Sequence, residues 1–557
     1  MFTFAVLDNN GPALDWPLRQ AYMVGPDEIP LPADLECEGG LIRCRKRSPE
    51  SAGLCVQFQV DASAESPGGL APGLLSLRTS LLPPRERPYL LALELARHRL
   101  MLFLNKLEDW ALSDLSSESP AMSLFERARG AFTEALSAHR VEASGPASLA
   151  GYSVEADRLS RHALSLAVEA GEALALSQGR VQYGRRVSGE LAALAETLAP
   201  PANALTDHET KASRAAALGT VGVILSDTPA VGCAVSPNAF APMLQQAVQA
   251  ASDFVCLPMR WIDLEPSEGK YSFAKTDRWI EWAVLQAKLP VVAGPVIDFR
   301  PRCVPEWLYI WEHDYETLRD LVYEHVKNVV TRYRKTVQTW TIASGLHVNT
   351  NFMFSFEQVM DLTRTSVLLV RKLHPKAKIQ IEIARPWGEY YADHTRSIPP
   401  SLYAEMINQA GVPIDALAVR LQMGHAEPGR STRDLLSIST LLDRFGALDK
   451  PLAVTAMGAP STPPDAEALG PGAMREPGYW REPWCEAAQE RWLRHAAAVV
   501  LGKPFVQSMC WQDLCDADKE GEMAGGGLLN AQGQPKPAAR RMMEIRAALR
   551  EKKPPMP

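Results

Sequence analysis

The sequence is poor in the features that mark several large classes of protein. Its nine cysteines, at 37, 44, 55, 233, 256, 303, 485, 510 and 515, are odd in number and scattered. They form no C-x-x-C pair and have no histidine at zinc-ligand spacing, which excludes a disulfide framework or a zinc motif and leaves buried free thiols as the expectation. No apolar run reaches the ~20 residues of a membrane span. The opening stretch MFTFAVLDNNGPALDW lacks the basic segment and apolar core of a secretory signal, so a cytoplasmic protein without membrane association is expected. A net charge of -7 with interspersed signs provides no basic field for nucleic acid. The glycine fingerprint of a dinucleotide site is missing after the first strand candidate. No metal and no cofactor are expected.

What is present is enough apolar material for more than one core, with 557 residues and 46% hydrophobic side chains. Residues 1–112 alternate short apolar runs such as LCVQFQV and LLSLRTSLL with Pro/Gly/Asp turns, predicting an antiparallel β-sandwich-like domain. The stretch from 89 to 112 turns helix-like and closes it. Over 113–215 the composition shifts to Ala, Leu, Glu and Arg, with apolar residues recurring at three and four, the mark of a helical connector. Its helices, within 121–198, are broken at 145–151 and ended by Pro200-Pro201. Apolar stripes there would dock a second copy of the chain or a protein partner.

From 216 to 550 strand and helix alternate. The strand candidates are VGCAVS, FVCLPM, PVVAGPVI, VQTWTIA, KIQIEIA, ALAVRLQ, LAVTAM and FVQSMCW. Eight apolar strands, each followed by a helix, predict a (β/α)8 TIM barrel, so the expected fold is multidomain with this barrel C-terminal and a short tail at 551–557.

Within the barrel region WIDLEPSEGKYSFAKTDRWIEWA, HPKAKIQIEI, GVPIDALAVRLQ, KPLAVTA, MCWQDLCD and GGGLLNAQGQPKPA occur in an order that resembles family-10 glycoside hydrolases, the xylanase family. The resemblance covers about 220–550 and none of the first 215 residues. It implies a retaining mechanism on two carboxyl groups about 5–5.5 Å apart. The family's acid/base glutamate ends the fourth strand, where Gly345 stands here. Its nucleophile closes the seventh, where Ala456 stands. Neither residue can protonate a leaving oxygen or attack an anomeric carbon.

Other polar groups remain at the strand ends where this fold places its chemistry. Glu382 lies in the strand Ile379-Gln380-Ile381-Glu382-Ile383, where inward and outward positions alternate, and if it points inward it is, with Asp298 and Asp513, a candidate catalytic carboxylate. The competing reading makes Glu382 a structural ion pair with Arg300, Arg385 or Arg420. Arg300, Arg385, Trp387, Tyr390, Arg420, Gln422 and Trp511 are candidate ligand contacts, because aromatic faces stack on sugar rings. Tyr479-Trp480-Arg481-Glu482-Pro483-Trp484 has the same platform character. His347 and His425 read as solvated or hydrogen-bonded loop histidines, and Trp261, Trp279, Trp282 and Trp340 as core. The leading expectation is a non-catalytic protein that binds carbohydrate or acts as a scaffold. The alternatives are hydrolysis of a polysaccharide by relocated carboxylates, Glu382 with Asp298 or Asp513, and an assembly component using its helices.

Overall fold

The computed structural model describes residues 2–64, 66–141, 151–191, 228–394, 396–516 and 522–555. Most of the break expected at 145–151, the end of the connector helices beyond 191, and Pro200-Pro201 lie outside the described residues.

All eight predicted barrel strands form: Ala230–Ala234, Phe254–Leu257, Val291–Ala293 (continued by Ile297–Asp298), Thr339–Ser344, Lys378–Ile383, Ala416–Gln422, Leu452–Gly458 and Val506–Trp511. Neighbours pair in parallel, and the ring closes because the first strand also pairs with the eighth and the third with the fourth. Both faces of such strands are covered, which is why they read as nearly continuous apolar runs. The intervening helices start at side-chain caps where the chain provides them. Ser355 accepts from the Gln358 amide while the Gln358 side chain accepts from the Ser355 amide, a reciprocal box that opens Phe356–Leu373. The barrel tryptophans Trp261, Trp279, Trp282 and Trp340 are core residues, as expected. The cysteines are all free thiols, and six of the nine are buried.

The N-terminal part holds a two-stranded hairpin, Leu7–Asp8 with Gly11–Pro12, and two larger sheets. One has the order Tyr89–Leu90, Phe2–Ala5, Leu41–Lys46, Ala33–Glu38, antiparallel except for its first pair, which is parallel. The other is antiparallel throughout, in the order Tyr479–Trp480, Gly73–Arg78, Gly53–Val60, Tyr22–Val24, Pro30–Leu31. Its edge strand is contributed by the loop after the seventh barrel strand, so the stretch read as an aromatic platform is a strand and its anchor. Trp480 and Trp484 are both buried.

Three long helices, Leu91–Asp109, Pro120–Val141 and Val154–Val187, connect sheets to barrel. The third lies against the barrel helices Leu435–Gly446 and Glu486–Gly502. Two glycines within it make that approach possible. A Cβ on Gly171 would stand 2.7 Å from Leu436 Cδ2, and one on Gly179 would stand 2.9 Å from the Ala498 carbonyl oxygen. A mid-helix glycine costs about 0.5–1 kcal/mol relative to alanine, offset here by close packing. The apolar face of this helix therefore docks on the chain's own barrel.

The docking surface buries charge. Arg481 donates to both Glu169 and Glu172, with Nη2 2.8 Å from Glu169 Oε2. Trp480 Nε1 and the Leu435 amide donate to Glu172 Oε1 at 2.7 and 3.2 Å. Arg481→Ala strands two buried carboxylates without a counter-charge, and removing one partner of such a pair costs about 3–5 kcal/mol. The expected outcome is a urea midpoint lowered accordingly, with Glu169→Gln milder because Glu172 still pairs with the arginine.

Candidate functional site

The C-terminal ends of the barrel strands meet in a mouth whose centre is Glu382, on the fifth strand and 2% exposed. Ser344 lies opposite it in register on the fourth strand, and its hydroxyl donates to Glu382 Oε1 at 2.5 Å. On the other side Glu382 pairs with Ala418, which puts Arg420, two residues on, on the same face of the pleat. The guanidinium Nε of Arg420 stands 3.1 Å from Glu382 Oε1. The register between the sixth and seventh strands then shifts from Val419↔Val454 to Arg420↔Ala456. Thr455 is the extra residue of this bulge, and its hydroxyl donates to Glu382 Oε2. Four adjacent strands thus converge on one carboxylate, and of the three arginines proposed as its partner, Arg420 is the one that pairs with it.

Asp298 closes the third strand. It accepts from Arg300 Nε at 2.8 Å and from the Arg300 amide at 3.0 Å. Burial alone would raise its pKa, but the guanidiniums of Arg300 and Arg420 hold it below the usual carboxylate range. Arg300 continues to Glu522, with Nη1–Oε2 at 2.8 Å and Nη2–Oε1 at 3.0 Å. Arg302, Arg430 and Arg420 reach the same carboxylate at 2.6, 3.1 and 3.7 Å. Burial again opposes ionisation of Glu522, and Arg300, Arg420 and Arg302 override it, holding the group well below its ordinary value. Sequence reasoning missed Glu522. The acid-rich run around it reads as a solvated loop, and only its placement over the mouth distinguishes it.

Asp513 accepts from the amides of Glu522 and Met523 at 3.2 and 3.1 Å, fixing the turn that delivers Glu522. Burial and the Glu522 charge push it up to about 7. The three candidate carboxylates therefore all border the mouth, but Glu382 and Asp298 are engaged by arginines and Asp513 by backbone.

The candidate ligand contacts divide. Arg300 and Arg420 belong to the ion-pair network, and Gln422 is buried beside it. Arg385 has φ +47° and packs its aliphatic stem against Gly429. Trp387 carries the Arg433 guanidinium 4.6 Å above its ring. Tyr390 is buried and donates to the Ile398 carbonyl at 2.7 Å. Trp511 is fully buried, its Nε1 donating to the Gly526 carbonyl at 2.9 Å. The histidines are hydrogen-bonded, one of the two expected states, and His425 is half-buried and accepts at Nδ1 from the Glu427 amide at 3.3 Å. His347 is buried, stacks on Tyr403 at 4.9 Å and pairs through Nε2 with the Ala384 carbonyl, and burial lowers it to about 4. His425 is lowered to about 4 by burial and the charge of Arg430.

Gly345 has φ +62°, a left-handed conformation suited to glycine, and a Cβ there would lie 3.1 Å from that of Ala384. Ala456 is 1% exposed. The cavities bordering the mouth are about 40 Å³, lined by Asp298, Arg300, Ser344, Gly345 and Arg385 among others, and about 50 Å³, beside Gln512, Asp513 and Glu522. Small-molecule sites commonly enclose about 300–1,000 Å³. Among the described residues no cluster of three or more histidine, cysteine or acidic side chains suits a metal ion, and no helix is long and apolar enough to cross a membrane.

Residues 223–469 match the family described as Glycosyl hydrolase family 10. A curated relative, endo-1,4-beta-xylanase B of Thermotoga neapolitana, is 23% identical over 211 residues, covering 36% of this chain and 55% of that protein. The chain thus spans about half the length of that relative. Similar solved structures include native xylanase 10B from Thermotoga maritima, at 16% identity and TM-score 0.42, covering 58% of this chain and 97% of that one. Another is an endoxylanase retrieved from a sugarcane soil metagenome, at 14% identity and TM-score 0.45, covering 57% and 97%. By its family match and its closed ring of eight parallel strands, the C-terminal part of this chain resembles a family-10 xylanase barrel.

Proposed function

We propose that the barrel is a non-catalytic member of its type, a scaffold that keeps the family-10 fold without the carboxylate pair. One observation carries this reading: Glu382, the carboxylate at the centre of the mouth, is taken up by Ser344, Thr455 and Arg420. A nucleophile or acid needs a free lone pair or proton facing a substrate. Gly345 and Ala456, at the positions the resemblance gives to the family's glutamates, offer neither. The small cavities at the mouth favour scaffolding over carbohydrate binding in the old cleft, and the burial of Tyr390 and Trp511 removes two of the expected stacking faces.

The test is mass-spectrometric detection of cleavage products from xylans, glucans and mixed oligosaccharides at high protein concentration, with Glu382→Gln alongside. Neither protein is expected to release product. Products from the unmodified chain that disappear in the variant would overturn the reading and make Glu382 catalytic.

A second reading, hydrolysis by relocated carboxylates, is favoured by one group. Asp513, raised to about 7, stands beside Glu522, held ionised, and divergent carboxyls of this kind are how an acid and its partner are told apart. The same shift makes a stability prediction. An acid raised on folding binds more protons folded than unfolded, so stability declines as pH rises from the ordinary aspartate value toward about 7. Asp513→Asn cannot ionise and escapes that decline. Its melting temperature relative to the unmodified chain is expected to improve between pH 4 and 7 and to level off above that, as read by differential scanning calorimetry. A constant difference would show that Asp513 is not raised.

A further inference from the structure

A second cluster of arginines lies away from the barrel mouth, where the five-stranded sheet, the helix Leu91–Asp109 and the barrel helix Leu435–Gly446 meet. A cavity of about 70 Å³ there is lined by Arg78, Arg99, Arg433 and Arg444 together with His98 and Ser76. It shares Arg78, His98 and Glu28 with a neighbouring groove of about 420 Å³, walled by Leu81, Met101 and Leu102 and edged by Asn105 and Lys106. The acids facing the inner chamber are already committed. Asp434 accepts from Arg99, Glu389 from Arg433 at 3.0 Å, and Glu28 pairs with Arg78 and Arg444. Tyr22 takes a further Arg433 N–H at 3.2 Å.

Donors are left over. The Nε–H groups of Arg99 and Arg433, on side chains only 3% and 6% exposed, have no hydrogen-bond partner among the described residues. His98 accepts at Nε2 from Arg78 Nε at 3.0 Å, which places its own proton on Nδ1, and that atom is also buried and unpartnered. The Ser76 hydroxyl makes a fourth. These groups come from a strand, a helix and a barrel loop, so they approach one small space from different sides. Buried donors almost always find an acceptor. A group with several acceptor oxygens in a non-planar array fits this set better than a planar carboxylate, and guanidinium forks bind phosphate strongly.

We propose that this chamber binds a tetrahedral oxyanion, the phosphate group of a small phosphomonoester whose organic part lies in the outer groove. Arg99, Arg433, His98 and Ser76 hold the anion from within. Arg78 and Arg444 close on it from the side of the groove, and there the phosphate competes with Glu28, whose side chain is a third exposed. The site is independent of the barrel mouth and does not rest on the scaffold reading.

The test is isothermal titration calorimetry of the full chain with inorganic phosphate, phenyl phosphate and acetate, at constant ionic strength set with chloride. Phosphate is expected to bind saturably, and acetate more weakly. Arg444→Gln removes a charge-assisted contact and is expected to weaken binding about tenfold or more, whereas Glu28→Gln removes the internal competitor and strengthens it several-fold. Tighter binding of phenyl phosphate assigns the outer groove to the organic part. Equal binding confines recognition to the phosphate group, and both results support the oxyanion site. A phosphate heat indistinguishable from chloride would overturn the proposal, as would affinities left unchanged by Glu28→Gln, a substitution at a partly exposed turn that leaves the core intact.

Discussion

The pairing of Arg481 with Glu169 and Glu172 is the constraint on which the rest of the architecture depends. Three consecutive residues of one barrel loop do different work around it. Tyr479 pairs with Leu74 in the N-terminal sheet, Trp480 donates its indole N–H to Glu172, and Arg481 binds both glutamates of the connector helix. Desolvating three charges is expensive, and only a geometry in which each lone pair and N–H is used repays it. The arrangement therefore selects one register of helix on barrel and one edge for the sheet. A slip of the helix by a turn would strand the carboxylates and would also bring side chains where Gly171 and Gly179 now allow contact.

That constraint reaches the barrel mouth. With Tyr479–Trp480 held in the sheet, the N-terminal part contacts the loops after the fifth and sixth strands as well. The Ser76 amide donates to the Thr432 carbonyl at 2.8 Å, and Arg433 links Tyr22 to Glu389. A face that in this fold usually opens to solvent and substrate is here partly a docking surface. The remainder is filled by Glu522 and the arginines around it. Compensation of charge, not a vacant cleft, is what the polar groups at these strand ends accomplish.

Much of this was legible in the sequence, and the physical reason is periodicity. The eight barrel strands are buried on both faces and announce themselves as apolar runs separated by amphipathic helices. That Glu382 could point inward followed from alternation within its strand. Its choice of Arg420 over Arg300 or Arg385 did not, because that is a matter of register between neighbouring strands, which a single strand does not encode. The edge strand Tyr479–Trp480 was hidden for a related reason: two residues have no period. Aromatic residues misled because a ring that can stack on a sugar packs equally well in a core, as Trp480, Trp484 and Trp511 do. Glu522 was invisible among neighbouring acids until tertiary structure set four arginines around it.

On the scaffold reading, the change at the mouth extends beyond two side chains. Gly345 occupies a left-handed backbone position with its Cβ direction facing Ala384, so a glutamate restored there would meet backbone strain before any question of chemistry arose. Ala456 follows the bulge that turns Thr455 onto Glu382, so the backbone beside the seventh-strand position is already committed to satisfying a different carboxylate. Arg420 in turn is balanced between Glu382 and Glu522. Each adjustment makes the others harder to reverse. The arginines that hold Asp298, Glu382 and Glu522 are already engaged, so a single restored glutamate would compete with those carboxylates for them.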